Sequence, residues 1–153
     1  MTLDATDRAI LNELQHNASP SNNDLADRVG LSPSAALRRV RKLEAEGVID
    51  RYVALLDPRS IGRGTTAFVE ISLASQEEAV LDAFEAAVVN SPDVMACHLM
   101  AGDADYIVQV ACADVADYER IHRTHLATLP GVTRIRSSFS LRTVANRTAY
   151  DLP

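Results

Sequence analysis

The sequence predicts an α+β protein in two parts, an all-helical domain over residues 1–57 and a mixed domain over residues 58–153, and three observations carry that prediction. Helix-capping residues followed by apolar residues at helical spacing recur three times before Gly47. The turn signal Asp57-Pro58 is followed by RSIGRGT, with two glycines and few apolar residues. Beyond it, strand-like and helix-like patterns succeed one another in a regular order.

In the first part, residues 4–17 open on Asp4, offer Asp7 as a capping acid three places on, and carry Ile10, Leu11 and Leu14 on one helical stripe. The loop ASPSN follows, from which Asn22 or Asn23 is expected to cap a short second helix bearing Leu25, Ala26 and Val29. Gly30 ends that helix, because glycine enters the left-handed conformation of a helix C-cap without steric cost. A third helix opens with Ser32 as N-cap and Pro33 at the first helical position, where a missing N–H costs nothing, and closes at Gly47. VIDRYVALLDP then reads as an extended segment.

In the second part, Thr65 to Leu73 is a strand rich in β-branched residues. Ser75 with Glu78 has the form of a capping box for a helix that buries Val80, Leu81, Phe84 and Val88. Val94–Met100 and Tyr106–Cys112 are strands joined by the Gly/Asp turn AGDAD. Asp114 caps a helix with Tyr118, Ile121, Leu126 and Leu129 at core spacing, stopped by Pro130-Gly131. The last strand alternates: Thr133, Ile135, Ser137, Phe139, Leu141 and Thr143 share one face, and Arg134, Arg136, Ser138, Ser140 and Arg142 the other. Strand, helix, strand, strand, helix, strand is the ferredoxin-like βαββαβ order. Its sheet has helices on one face only, so dimerisation through the other is expected.

The chain carries a formal net charge of −6, and residues 1–57 hold seven Lys/Arg against nine Asp/Glu. Any affinity for a polyanion must therefore come from a local arrangement. One exists: Arg38, Arg39, Arg41 and Lys42 fall within five residues of the third helix. Winding that helix sets Ala36, Leu37, Val40 and Leu43 toward a core, with Ser34, Ala35 and the four cations opposite. A charge run on a helix is often only a solvated face. Here it follows a helix and a tight Gly-Leu-Ser-Pro turn, the order of a helix-turn-helix whose second member enters the major groove. Ser32, Ser34 and Ala35 allow close approach at its N-terminal end, while Arg38, Arg39 and Lys42 reach bases or phosphates. Ser21, Asn22 and Asn23, at the start of the preceding helix, are candidate phosphate contacts, or simply a turn and a cap. The predicted partner is double-stranded DNA.

LDATDRAILNELQHN, SNNDLADRVGLSPSAALRRVRKLEAEGVI and HLMAGDADY together resemble the Lrp/AsnC (feast/famine) family of bacterial and archaeal transcription regulators, from about residue 3 to residue 145. The resemblance implies a DNA-binding domain joined to an effector domain, paired subunits that often assemble into octamers, and a small-molecule effector, commonly an amino acid. It places that effector near the Gly-Asp hairpin turn, which in this sequence picks out Met100, Gly102, Asp103, Ala104, Asp105 and Tyr106, with Thr133, Ile135 and Ser137 on a neighbouring chain's final strand. Relatives often have an aromatic or other large residue between the two aspartates, where this chain has Ala104. Exposed turn N–H groups can hold a carboxylate, and Asp103 or Asp105 can pair with an ammonium group. A plain hairpin turn with solvated acids is the alternative.

Two other classes compete. His98, His122, His125, Cys97 and Cys112 could be imagined as zinc ligands of an enzyme, but no CxxC or HExxH spacing is present, and neither is a phosphate-cradling loop or nucleophile elbow. No enzyme activity, metal or cofactor is expected. An architectural DNA-binding protein without an effector would share the helix-turn-helix, and would protect DNA broadly instead of at spaced half-sites. No apolar run approaches the roughly 18 residues of a membrane helix, the start lacks the order of a secretory signal, and the two cysteines read as small buried hydrophobes. A cytoplasmic protein is expected.

Overall fold

The computed structural model describes residues 2–153, which form two compact units. The first comprises residues 2–55 together with Val144–Pro153, and the second Leu56–Thr143.

Three helices build the first unit: α1 (Ala5–His16), α2 (Asn22–Arg28) and α3 (Pro33–Ala45). Asp4 caps α1 by accepting from the Asp7 N–H, and Asp7 returns the bond to the Asp4 N–H. The cap of α2 is Ser21, which forms a reciprocal box with Asp24, so the expected Asn22 or Asn23 cap lies one or two residues too late. Gly30 ends α2 at φ +67°, which lets the Leu31 N–H reach back to the Ala26 carbonyl. Ser32 caps α3, and Pro33 begins it, as expected. Ile10, Leu11, Leu25 and Leu43 form the buried centre. Leu37, expected in this core, is exposed at its edge.

The segment Val144–Pro153, expected in the second domain, belongs to this unit instead. The Gln15 side chain accepts from the Tyr150 N–H at 2.6 Å and donates to the Tyr150 carbonyl at 3.2 Å, and the Asn12 amide donates to the Leu152 carbonyl at 3.3 Å. Leu152 packs against the buried cluster. Its side chain is only partly covered, so Leu152→Ala is expected to cost the first unit about 1 kcal/mol. An unchanged urea midpoint for this unit would show that the segment contributes no stability.

The second unit runs β1 (Thr65–Leu73), α4 (Glu78–Val88), β2 (Val94–Leu99), β3 (Tyr106–Cys112), α5 (Val115–Ile121) and β4 (Val132–Phe139). α5 continues into a π-helical turn, His122–Leu126, that keeps Leu126 buried. All neighbouring strands are antiparallel, in the order β2-β3-β1-β4, the ferredoxin-like arrangement. Ala67, Val69, Ile71, Tyr106, Val108 and Val110 alternate toward the helices and pack on Phe84, Val88, Ile121 and Leu126. Gly131 fits between β4 and α4 at φ +74°, where a Cβ would stand 2.8 Å from Val80 Cγ1.

Two expected details differ. α4 starts after Glu77, with no side-chain cap, because Ser75 Oγ accepts from the Glu77 N–H and makes a local turn instead of a capping box with Glu78. β4 ends at Phe139, so the alternation read through Thr143 outruns the pairing, and Leu141 is fully exposed. At the entry to β1, Arg63 bonds the buried Asp93 carboxylate at 2.5 Å and the Ala111 carbonyl at 3.3 Å, which fixes the start of the unit's sheet. Arg120 lies 3.8 Å from the same carboxylate.

Candidate DNA interface and effector pocket

α3 presents its N-terminal end and its cations unequally. Ser32 is spent on capping: its Oγ accepts from the Ala35 N–H at 3.3 Å and lies 3.3 Å from Ser34 Oγ. Ser34 is exposed and Ala35 partly so, leaving small residues where a close approach to DNA would occur. Arg38 and Arg41 are exposed and form no ion pair among the described residues. Lys42 makes a long contact of 3.8 Å with Glu46.

Arg39 departs from the expected outer face. It stands only about 60° around the helix from the centre of the buried stripe at Ala36. Its Nη1 meets Asp4 Oδ2 at 2.7 Å and Asp7 Oδ1 at 2.6 Å, and Asp7 is 5% exposed. The absence of an acid within α3 hid this partnership, since the acids belong to α1. The Asp4 carboxyl is held below its ordinary value of 3.8, first by the Asp7 N–H and next by Arg39. Asp4 and Asp7 in turn raise the Arg39 guanidinium. A depressed carboxyl contributes stability that is complete above pH 3.8 and is lost as pH falls through the lower folded value.

At the start of α2, Ser21 Oγ is engaged with Asp24 at 2.7 Å, and Asn22 Nδ2 donates to the Pro33 carbonyl at 2.8 Å, tying α2 to the first residue of α3. Asn23 is exposed and makes no side-chain hydrogen bond among the described residues. Of these three, only Asn23 keeps a side chain free for a phosphate.

The hairpin between β2 and β3 borders a cavity of about 240 Å³ lined by Met100, Gly102, Asp103, Ala104, Glu70 and Arg136, among others. Met100, Gly102 and Asp103 are exposed, and Asp103 forms no ion pair among the described residues. Asp105 and Tyr106 turn inward. Asp105 is 8% exposed and accepts from the Leu73 N–H and the Gln76 amide, both at 2.7 Å. Tyr106 is buried against Phe84 and donates to Glu85 at 2.7 Å; burial first and Glu85 second push its hydroxyl pKa up. Both residues hold the hairpin in place, and the ammonium partner suggested for Asp105 would have to displace two donors.

Thr133, Ile135 and Ser137 do not line this chain's cavity. Ile135 and Ser137 point to the helix-covered face, where Ile135 packs on the core and Ser137 bonds the Tyr118 hydroxyl. Thr133 is exposed and donates to the Ser72 carbonyl at 3.0 Å. On the opposite face, Glu70 and Arg136 are register partners 3.3 Å apart. The alternation of β4 put Arg136 on that face, but its meeting with Glu70 depends on a pairing with β1 that no local pattern encodes.

Among the described residues no group of three or more His, Cys, Asp or Glu could hold a metal ion. Burial pushes the Cys97 thiol up to about 11, so it is a protonated thiol at neutral pH. No helix of the described residues is long and apolar enough to cross a membrane.

A winged helix-turn-helix DNA-binding family model matches residues 3–50, and an Lrp/AsnC ligand binding domain model matches residues 66–150. The chain is 44% identical over 135 residues to the leucine-responsive regulatory protein of Haemophilus influenzae, covering 88% of this chain and 81% of that one. It is 42% identical over 150 residues to the Bkd operon transcriptional regulator of Pseudomonas aeruginosa, covering 98% of each. Among solved structures, a transcriptional regulator from Neisseria meningitidis in complex with L-Met superposes with a TM-score of 0.92 at 35% identity, covering 98% of this chain and 97% of that one.

Proposed function

The chain belongs to the Lrp/AsnC family of transcriptional regulators, and from that premise we propose that α3 reads operator DNA while an amino acid in the hairpin cavity sets how well it does so. The observation that carries the DNA half is the exposure of Arg38 and Arg41, unpaired among the described residues, beside the small residues Ser34 and Ala35. Unpaired cations beside small residues suit a helix that must come close to base edges and phosphates. The effector half is supported by the cavity under Gly102–Ala104 and by the L-Met complex of the Neisseria meningitidis regulator.

Two copies of the chain, or an octamer built from such pairs, would present recognition helices at a fixed separation, and the operator would then be pseudo-palindromic. A cytoplasmic location follows from DNA as the partner. Arg39 acts as a positioning residue that holds α3 against α1. Arg39→Ala is therefore expected to lower the melting temperature while leaving the slope of log affinity against log salt unchanged, whereas removing a phosphate contact flattens that slope by about 0.9. A flattened slope for Arg39→Ala with unaltered melting would move the residue to the DNA.

The testing experiment selects operators from random DNA with the full chain, then repeats the selection and footprinting with each amino acid. Half-sites about one helical turn apart, with a footprint that changes for at least one amino acid, are the expected result. Broad protection that no amino acid alters would defeat the proposal.

A further inference from the structure

Beyond the hairpin itself, the cavity carries two opposite charges whose position has a chemical consequence. Glu70 on β1 and Arg136 on β4 face each other across the sheet, Arg136 Nε 3.3 Å from Glu70 Oε2, and both line the cavity beside Gly102 and Asp103. Their neighbours in sequence, Val69 and Ile71, are fully buried under the helices, so alternation sends Glu70 to the uncovered face. Neither side chain has another ion-pair partner among the described residues. In the single chain they stand 42% and 66% exposed.

We propose that Glu70 and Arg136 are the poles that select a zwitterionic α-amino acid, the Arg136 guanidinium taking its carboxylate and Glu70 its ammonium group. This rests on the reading of the hairpin cavity as the effector site. An α-amino acid carries its two charged groups on one carbon, so laid head to tail across the existing pair it makes four charges of alternating sign. Each protein group then gains a second counter-ion without surrendering the first, and Arg136 retains N–H donors for the carboxylate while its Nε stays toward Glu70. A 2-oxo acid offers nothing to Glu70, and a primary amine nothing to Arg136. The wall formed by Met100, Ala104 and Ile107 faces the ligand's side chain with carbon and sulfur, which favours an aliphatic or thioether group.

The test measures binding of L-leucine, L-methionine, 4-methyl-2-oxopentanoate and 3-methylbutylamine to the full chain by calorimetry, after a screen of the twenty amino acids has established which of them bind. Glu70→Gln, Arg136→Gln and the double variant are compared with the parent. Equal sedimentation, melting and operator binding in the absence of ligand establish that the variants are intact. The expected result is a loss of about tenfold or more in amino-acid affinity for either single variant, from removal of one charge-assisted contact. The analogues should divide: Glu70→Gln leaves the weak affinity for the 2-oxo acid unchanged, and Arg136→Gln leaves that for the amine unchanged. A purely structural role for the ion pair would lower all affinities together.

If the parent binds an amino acid and both variants bind it within about twofold, the assignment of poles is wrong and the effector site stands. A 2-oxo acid binding as tightly as its amino acid overturns the role of Glu70. If none of the twenty binds the parent, the effector reading fails, and the assignment fails with it.

Discussion

Arg38→Ala is expected to lower operator affinity about tenfold or more, with no change in melting temperature. Arg38 lies on the solvent side of α3, about 160° around the helix from Ala36, and has no ion pair among the described residues to lose. Its removal costs the fold nothing, so the whole effect falls on the complex. A bidentate base contact discriminates by about 1–3 kcal/mol, which is roughly 5- to 150-fold, and a phosphate contact contributes about 0.9 to the salt slope. Arg38→Lys separates the two. Lysine keeps the point charge but not the planar fork, so it restores binding at a phosphate and fails to restore it at a guanine edge. Competition between the selected operator and random duplex at several salt concentrations reads both quantities. Parent-like affinity and slope in Arg38→Ala would remove α3 from the interface.

Asp105→Ala should destabilise the second unit by about 2–3 kcal/mol, because the Leu73 N–H is then left buried without an acceptor and the Gln76 amide loses its partner. For a unit of this size that corresponds to a fall of roughly 10–20 °C in melting temperature. The hairpin should loosen as well, since the Asp105 backbone closes it on both sides: its N–H bonds the Ile71 carbonyl at 3.0 Å, and its carbonyl accepts from the Met100 N–H at 2.8 Å. Asp105→Asn tests the alternative role of this carboxylate. Its carbonyl oxygen can still accept from Leu73, and a turn of the Gln76 amide presents an oxygen to the new NH₂. Most of the stability and the amino-acid response should therefore return. A well-folded Asp105→Asn chain that no longer responds to any amino acid would instead make Asp105 a ligand contact.

The contrast between Asp103 and Asp105 shows where sequence reasoning stops. Both acids were legible as parts of a turn next to a strand, and composition with the flanking turn signals located β1 and β3 to the residue. Which acid is buried depends on the β1 residues that lie beneath the hairpin, a long-range contact with no local signature. Arg39 is the same case in helices: its neighbours in α3 made it look like one of four equivalent cations, and only the packing of α3 on α1 brought Asp4 and Asp7 to it. Capping was read correctly for α1, α3 and α5, where the capping side chain stands directly before the apolar stripe. It was misread at Ser75, where a competing turn takes the hydroxyl. Alternation in β4 put Arg136 on the uncovered sheet face, but its meeting with Glu70 was not legible, because register is a property of two strands together.

The Gln15–Tyr150 and Asn12–Leu152 bonds join the earliest helix to residues translated after the whole sheet. During synthesis the operator-reading helices therefore emerge well before their last stabilising neighbour. A half-made polypeptide thus carries these helices without the segment that Gln15 and Asn12 bind in the finished chain.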